Sequence, residues 1–328
     1  MDVDNATACS VMYDGTGGAG SITFVRHALP VYREHELLIK VHASALNRAD
    51  LLQRDGQYQV APGELAVPGV EVAGQVLACG SAVSGFAPGD RIYAVVPGGG
   101  YATHCVVDQG MAMPVPGHWS YTDAAAVAEA GLTADTALFT VGGLQPGQKV
   151  LIHAAASGIG SMVVQMVREA GARAICTTNS PDKVEPLYAL GAEQVLCGYG
   201  PDFYQGLCES GHGAVDLVID FIGGRYFDGN LSALKPGGTL VMVGLLDAFE
   251  WQANFVPIIN KRLSLHGVVL RKRPDAEKRQ VTQAFLARWQ PALASGDSRR
   301  WSRRSTPSRR WPRRRKKWPP IATSAKWY

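Results

Sequence analysis

The chain has 328 residues, 46% of them hydrophobic and 18% charged, with a formal net charge of +4. That length supports a large core in two domains, and no apolar run reaches the roughly 18 residues a membrane span needs. Twelve of the 32 Lys and Arg lie after Asp297, where no Asp or Glu occurs, so residues 1–297 carry 20 basic against 28 acidic side chains, net −8. The body of the chain therefore has no electrostatic footprint for nucleic acid.

Met1–Ala8 reads as a short frayed extension without the basic-then-apolar pattern of a signal peptide, so a soluble cytoplasmic protein is expected. Up to about Ala124 the sequence predicts short strands, at Leu37–Val41, Val72–Ala78, Arg91–Val95 and Ala102–Val106. Gly-Pro clusters such as Phe86–Asp90 and Pro97–Gly100 break them. This is an irregular β domain. Six cysteines are scattered without a C-x-x-C pair, and the eight histidines include no H-E-x-x-H, so neither a metal site nor a disulfide framework is legible. From about Ala125 helix and strand alternate. A helix is expected over Ala126–Val141 and strands at Val150–His153, Arg173–Thr177, Gln194–Cys197, Val215–Ile219 and Thr239–Val243, with a return to the first domain after Ser264–Val269. Right-handed crossovers make that a doubly wound parallel sheet. The first domain is expected over 1–124 with 265–297, the second over 125–264.

Val150–Gly160 is the most informative stretch. An apolar strand breaks at Ala154-Ala-Ala-Ser157-Gly158-Ile-Gly160, and a helix from Ser161 then turns Met162, Val163, Met166 and Val167 toward a sheet and ends at Gly171. The free N–H groups of its first turn and its positive end suit a pyrophosphate. Alanines replace the first glycine of the G-x-G-x-x-G pattern. About 20 residues on, where an NAD site presents Asp or Glu to the ribose, the chain reads Thr178-Asn179-Ser180-Pro-Asp-Lys183. Ser180 and Lys183 welcome a 2′-phosphate, which points to NADPH; alternatively Lys183 is a solvated helix residue whose field Asp182 weakens.

His153 is read as a packed, hydrogen-bonded residue rather than a proton shuttle, and Glu71 as an anchor for a neighbouring backbone or basic group. Arg271-Lys-Arg273 either borders an anionic cofactor or sits in water. Thr239–Leu246 is either an apolar edge strand that invites a second copy, giving a homodimer, or a central buried strand.

Ser44-Ala-Leu-Asn47-Arg48-Ala-Asp50-Leu-Leu-Gln53-Arg-Asp-Gly56-Gln-Tyr58, Pro68-Gly69-Val-Glu71, Pro97–Gly100, Gly131-Leu-Thr133-Ala134 and the alanine-type loop follow one another in an order that resembles the quinone oxidoreductases. These form the zinc-free branch of the medium-chain dehydrogenase/reductase superfamily; the likeness is strongest to its tumour-suppressor-inducible NADPH quinone reductases and runs from about Val11 to about Asp297. The resemblance implies an α/β chain, with a β-rich GroES-like domain joined to a Rossmann cofactor domain. It also implies that Tyr58 and Asn47 line the nicotinamide and substrate side as catalytic residues; read without the resemblance, Tyr58 is a turn tyrosine with its ring packed and Asn47 a capping residue. By the same resemblance Ser157, Gly158 and Gly160 hold the pyrophosphate, Lys183 and Tyr199 the 2′-phosphate and ribose, and Thr133, Gly244 and Leu245 lie near the ribose and nicotinamide. Val70 stands where zinc-dependent relatives carry histidine, so no metal is expected.

Without a metal to polarise an alkoxide the acceptor must already be electrophilic, as quinones and activated alkenes are. Three readings follow: an NADPH:quinone reductase, an NADPH-dependent enone or 2-alkenal reductase, and a cofactor-binding but idle protein with a structural or RNA-binding role. The last needs a meaningful tail.

The tail reads otherwise. Ser298–Tyr328 holds twelve basic residues and four of the seven tryptophans, Trp301, Trp311, Trp318 and Trp327, with no period of helix or strand. When the third base of each codon is joined to the first two of the next, Trp311–Tyr328 can encode Ala-Ala-Ala-Gln-Glu-Lys-Met-Ala-Ala-Asn-Arg-Asp-Ile-Gly-Lys-Met-Val. That string resembles the family's closing helix and final strand. A reading-frame shift near Asp297 is therefore expected, with 298–328 an irregular tail; the alternative is a basic nucleic-acid-binding arm. Restoring the frame should give a more stable and much more active protein. Re-sequencing the coding DNA checks it: an intact frame, with a protease-resistant tail, contradicts the shift.

Overall fold

A computed structural model describes residues 7–13, 22–56, 67–294 and 322–324. They fall into two units, one running to Glu129 and resuming at Arg271, the other spanning Ala130–Leu270.

The first unit begins with an antiparallel pair, β1 (Thr7–Tyr13) and β2 (Ile22–Ala28). β3 (Glu36–Ala45), the short helix α1 (Arg48–Arg54), β4 (Glu71–Cys79), β5 (Arg91–Val95), β6 (His104–Asp108) and β7 (Met113–Pro114) follow. β4 pairs antiparallel with β3 and β5, and β6 pairs with the first half of β3. Alternate residues of a strand share a face, so Leu37, Ile39 and Val41 of β3 join Val72, Val76, Ile92, Ala94 and Val107 in one buried cluster. β4, β5 and β6 lie within two residues of the expected runs at each end, whereas β3 runs four residues past Val41 to Ala45.

Two glycine motifs of this unit meet backbone to backbone. The Gly99, Gly100 and Tyr101 amides donate to the carbonyls of Val67, Gly69 and Pro68 at 2.8–2.9 Å. A Cβ on Gly69, whose φ is +95°, would sit 2.5 Å from the Tyr101 nitrogen. Only glycine fits there.

The helix α2 (Tyr121–Asp135) continues into a π turn over Thr136–Val141. Its 21 residues are long and apolar enough to cross a membrane, but 72% of the 18-residue apolar window within it is buried inside the protein, as in a core helix.

In the second unit strands and helices alternate in the expected rhythm: β8 (Lys149–Ile152), α3 (Gly158–Glu169), β9 (Arg173–Thr178), α4 (Val184–Leu190), β10 (Ala192–Cys197), α5 (Phe203–Glu209), β11 (Val215–Asp220), α6 (Phe227–Ala233), β12 (Leu234–Met242), α7 (Val256–Lys261) and β13 (Ser264–Gly267). All neighbours are parallel, in the order β10-β9-β8-β11-β12-β13. The order reverses between β8 and β11, which opens a crevice at the strands' carboxyl ends, where doubly wound sheets bind ligands. Met162, Val163, Met166 and Val167 of α3 are buried as the helical period required.

Four differences have physical causes. Thr239–Leu246 is not an edge: β12 is hydrogen-bonded on one side to β11 and on the other to β13, so its apolar run belongs to an interior strand of the sheet. The edge is β13, four mostly exposed residues. α3 starts at Gly158, because Ser157 caps it by accepting the Gly160 amide hydrogen at 3.1 Å. A last long helix, α8 (Asp275–Ala294), belongs to the first unit. Within the tail 322–324 form β14, parallel to residues 43–45 of β3, so the irregular course expected there fails for these three; the rest of 298–328 lies outside the described residues.

Candidate functional site

The turn after β8 is tight for a stated reason. A Cβ on Gly160 would lie 2.6 Å from the Ala154 carbonyl oxygen and 2.8 Å from the Ala155 Cα, so glycine lets α3 close on the strand end. Ala154 adopts φ +43°, one of two described non-glycine residues with positive φ. It stands where glycine was expected, and an L-residue pays roughly 1–2 kcal/mol for that conformation. Strain of this kind persists only where surrounding contacts fix it.

Beyond the turn is a pocket lined by Ala154, Ala156, Ser157, Thr177, Thr178, Asn179, Ser180, Lys183, Ile222, Tyr226 and Leu246. Three of the residues singled out from sequence, Ser157, Ser180 and Lys183, are therefore brought together at the ends of β8 and β9. No carboxylate lines the pocket, and Lys183 makes no ion pair among the described residues. The Ser180 amide donates to Thr178 Oγ1 at 3.2 Å, which leaves the Thr178 hydroxyl proton for another acceptor. An anion placed here meets a cation, several hydroxyls and a helix N-terminus.

A buried polar chain lies behind the pocket. His153 Nδ1 is 3.0 Å from Thr177 Oγ1, and its Nε2 is 2.7 Å from Asn230 Oδ1. Asn230 Nδ2 donates to Asp220 Oδ2 at 3.0 Å. Asp220 also accepts the amide hydrogens of Ile222, at 2.7 Å, and Gly223, at 3.2 Å. Burial pushes the His153 imidazole below its ordinary value, against the opposing pull of Asp220 and the Asn230 hydrogen bond. His153 is thus the packed, hydrogen-bonded residue expected of it.

The remaining candidates are dispersed. Gly244 and Leu245 follow β12 in a turn whose Val243 amide donates to the Asp220 carbonyl at 2.7 Å. Thr133 is buried in α2. Tyr199 does not line the pocket; its hydroxyl donates to Glu209 Oε2 at 3.0 Å, and that bond raises its pKa. Gly158 opens α3.

In the first unit Asn47 is the N-cap of α1 and forms a capping box with Asp50, whose carboxylate accepts the Asn47 amide hydrogen at 2.7 Å. Its side-chain nitrogen donates to Glu71 Oε1 at 2.8 Å, and Glu71 Oε2 accepts the Glu129 backbone amide hydrogen at 2.8 Å. Glu71 anchors backbone, as expected, and the Asn47 side chain is held at both ends. Tyr101 donates to the buried Asp50 at 2.7 Å, and burial lifts the Asp50 carboxyl to about 6. Arg271 is buried and donates to Gln53 Oε1 at 3.0 Å, so it is not a solvated side chain. Tyr58 lies outside the described residues. Among the described residues no group of three or more His, Cys, Asp or Glu is arranged to hold a metal ion.

Sequence reasoning missed Ile222, Tyr226 and Leu246 in the pocket wall, and Asp220 and Asn230 behind it. A signal existed for the first two, since Asp220-Phe-Ile-Gly-Gly224 is a glycine turn at a strand end beside the reversal of strand order.

Residues 33–117 match the family described as the alcohol dehydrogenase GroES-like domain, and residues 158–287 the one described as zinc-binding dehydrogenase. The spectinabilin polyketide synthase system protein NorB of Streptomyces orinoci is 36% identical over 215 residues, 65% of this chain but 10% of that protein. The chain thus spans about a tenth of the length of such synthases. The quinone oxidoreductase of Sus scrofa is 29% identical over 262 residues, 79% of each. Among solved structures the CurK enoyl reductase superposes with a TM-score of 0.77 at 25% identity, covering 87% of this chain and 89% of that one.

Proposed function

The chain belongs to the medium-chain dehydrogenase/reductase superfamily of nicotinamide-dependent oxidoreductases, and on that premise we propose that it reduces quinones with NADPH and without a metal. The observation that carries the cofactor choice is the wall formed by Thr178, Asn179, Ser180 and Lys183, which offers donors and a cation and no carboxylate. An NAD site would need an acceptor for the ribose hydroxyls where this chain has Ser180 and Lys183. Ser157, Gly158 and Gly160 suit the pyrophosphate for the reason given by the capped helix start. NADPH, when bound, supplies the hydride. The chain's own task is then to orient, to exclude water and to stabilise the charge that develops on the acceptor oxygen.

In this reading Tyr58 donates a hydrogen bond to that oxygen. Asn47, held by Glu71 and by its capping bond, is a fixed dipole beside it. Thr133, Tyr199, Gly244 and Leu245 are assigned to the ribose and nicotinamide, and Tyr199 must exchange its Glu209 partner to take part. The enzyme is read as cytoplasmic, acting on small molecules, with neither nucleic acid nor membrane as partner.

A second reading, reduction of an enone, 2-alkenal or enoyl group, is favoured by the 36% identity to a polyketide synthase protein and the likeness to an enoyl reductase structure. Both readings share the cofactor and differ in the acceptor. A homodimer joined at the sheet edge would use β13, with exposed Val256 and Ile259 of α7 close in sequence.

Three outcomes are expected. Lys183→Ala should weaken NADPH by about tenfold or more, the worth of a charge-assisted hydrogen bond, and leave NADH nearly unchanged; equal weakening in a binding titration removes Lys183 from phosphate recognition. Steady-state NADPH oxidation should be fastest with ortho- or para-quinones, whereas a wide margin for 2-alkenals or enoyl thioesters replaces the quinone reading with the second. Sedimentation at concentrations well above micromolar should show a dimer; monomer alone contradicts the β13 interface.

A further inference from the structure

The hydrogen-bond chain behind the pocket has only one consistent arrangement of protons. Asp220, accepting two backbone amides, presents only lone pairs to Asn230. Asn230 must therefore turn its NH2 to Asp220 and its oxygen to His153. That oxygen can only accept, so His153 Nε2 carries the ring proton and donates. A neutral ring protonated at Nε2 has a bare Nδ1, and the Thr177 hydroxyl 3.0 Å away must point its proton at it. The polarity runs without a break from the end of β9 to the turn after β11.

We propose that this chain makes His153 a positioning residue for the dinucleotide, which holds the Thr177 hydroxyl proton inward and the Phe221–Gly223 turn in place, so that Thr177 meets whatever fills the pocket only as an acceptor. The inference rests on the reductase reading for the identity of the dinucleotide. Thr177, Ile222 and Tyr226 all line the pocket, and the His153 ring meets edge-on the stacked pair of Phe203, at a centroid distance of 4.5 Å, and Tyr226, at 5.1 Å. One imidazole thereby ties three pocket residues to two strand ends. Its directional consequence is specific: an acceptor-only Thr177 favours a hydroxyl of the ribose, while Lys183 and the Thr178 hydroxyl proton serve the phosphate. Burial keeps the ring neutral, and the charged group facing it is Asp220, through Asn230. A ring so committed is unavailable as a proton donor to product.

Two substitutions separate the roles. His153→Phe keeps the edge-on aromatic contact and removes both hydrogen bonds. His153→Gln replaces ring by amide, with an acceptor for Thr177 and a donor for Asn230 about as far apart as the ring nitrogens. For folded protein the phenylalanine variant should bind NADPH about tenfold more weakly, from the loss of one or two buried hydrogen bonds, with kcat at saturating NADPH nearly unchanged. The glutamine variant should recover most of the affinity. A fall in kcat in both variants at unchanged NADPH affinity would make His153 a proton donor and overturn the inference. Nitrogen NMR of the imidazole in the unaltered protein provides an arm that needs no variant. It should show Nε2–H and bare Nδ1 at pH 7; an Nδ1–H or doubly protonated ring at that pH overturns the proposal. Tight NADPH binding by the unaltered chain with no loss in His153→Phe overturns this inference alone, and no NADPH binding by the unaltered chain overturns it together with the reductase reading.

Discussion

The second unit depends on how closely α3 can approach the end of β8. With no room for even a Cβ between Gly160 and the Ala154 carbonyl oxygen, the helix start closes on the strand end beside the crevice left where the strand order reverses. A bulkier residue would push the helix start away from the strand end, and the Ser157 cap, which needs its oxygen 3.1 Å from the Gly160 amide, would open with it. The left-handed Ala154 is the cost of that geometry. Its strain, of the order of 1 kcal/mol, is offset by the burial of α3 against the sheet, where Val163, Met166 and Val167 have no exposed surface.

The approach also explains why polar residues are tolerated behind the pocket. Four strand ends and two helices converge on little space, and buried polar groups there must pair or cost about 1–3 kcal/mol each. His153, Asn230 and Asp220 are each fully buried, and each finds partners within 3.0 Å. The first unit solves the same problem with Glu71, whose two carboxylate oxygens hold Asn47 and the Glu129 backbone.

Features carried by neighbours in sequence were legible. The β8 turn, the buried face of α3 and the left-handed Gly171 after it, at φ +67°, follow from glycines and a helical period inside one short window. Ser180 and Lys183 were found because they sit at the fixed distance from that turn where cofactors are distinguished. Ile222 and Tyr226 in the pocket wall and Asn230 behind it were not, since they come from a segment some 70 residues later. The edge strand was misassigned because the real edge, Ser264–Gly267, is short and mostly exposed and offers no apolar run, while the long run of β12 belongs to a strand paired on both sides. The capping reading of Asn47 holds, with Asp50 three residues on completing the box. The signal that went unused is that of α8, whose Val281, Phe285, Trp289 and Leu293 are buried at intervals of four.

NADPH-dependent reduction requires that the pocket beside Lys183 take a 2′-phosphorylated dinucleotide. Calorimetric titration of the unaltered protein with NADPH and with NADH tests it most directly. NADPH should bind at least about tenfold more tightly at low ionic strength, with a gap that narrows as salt screens the partly exposed ammonium. Equal affinities, or tighter binding of NADH, would contradict it.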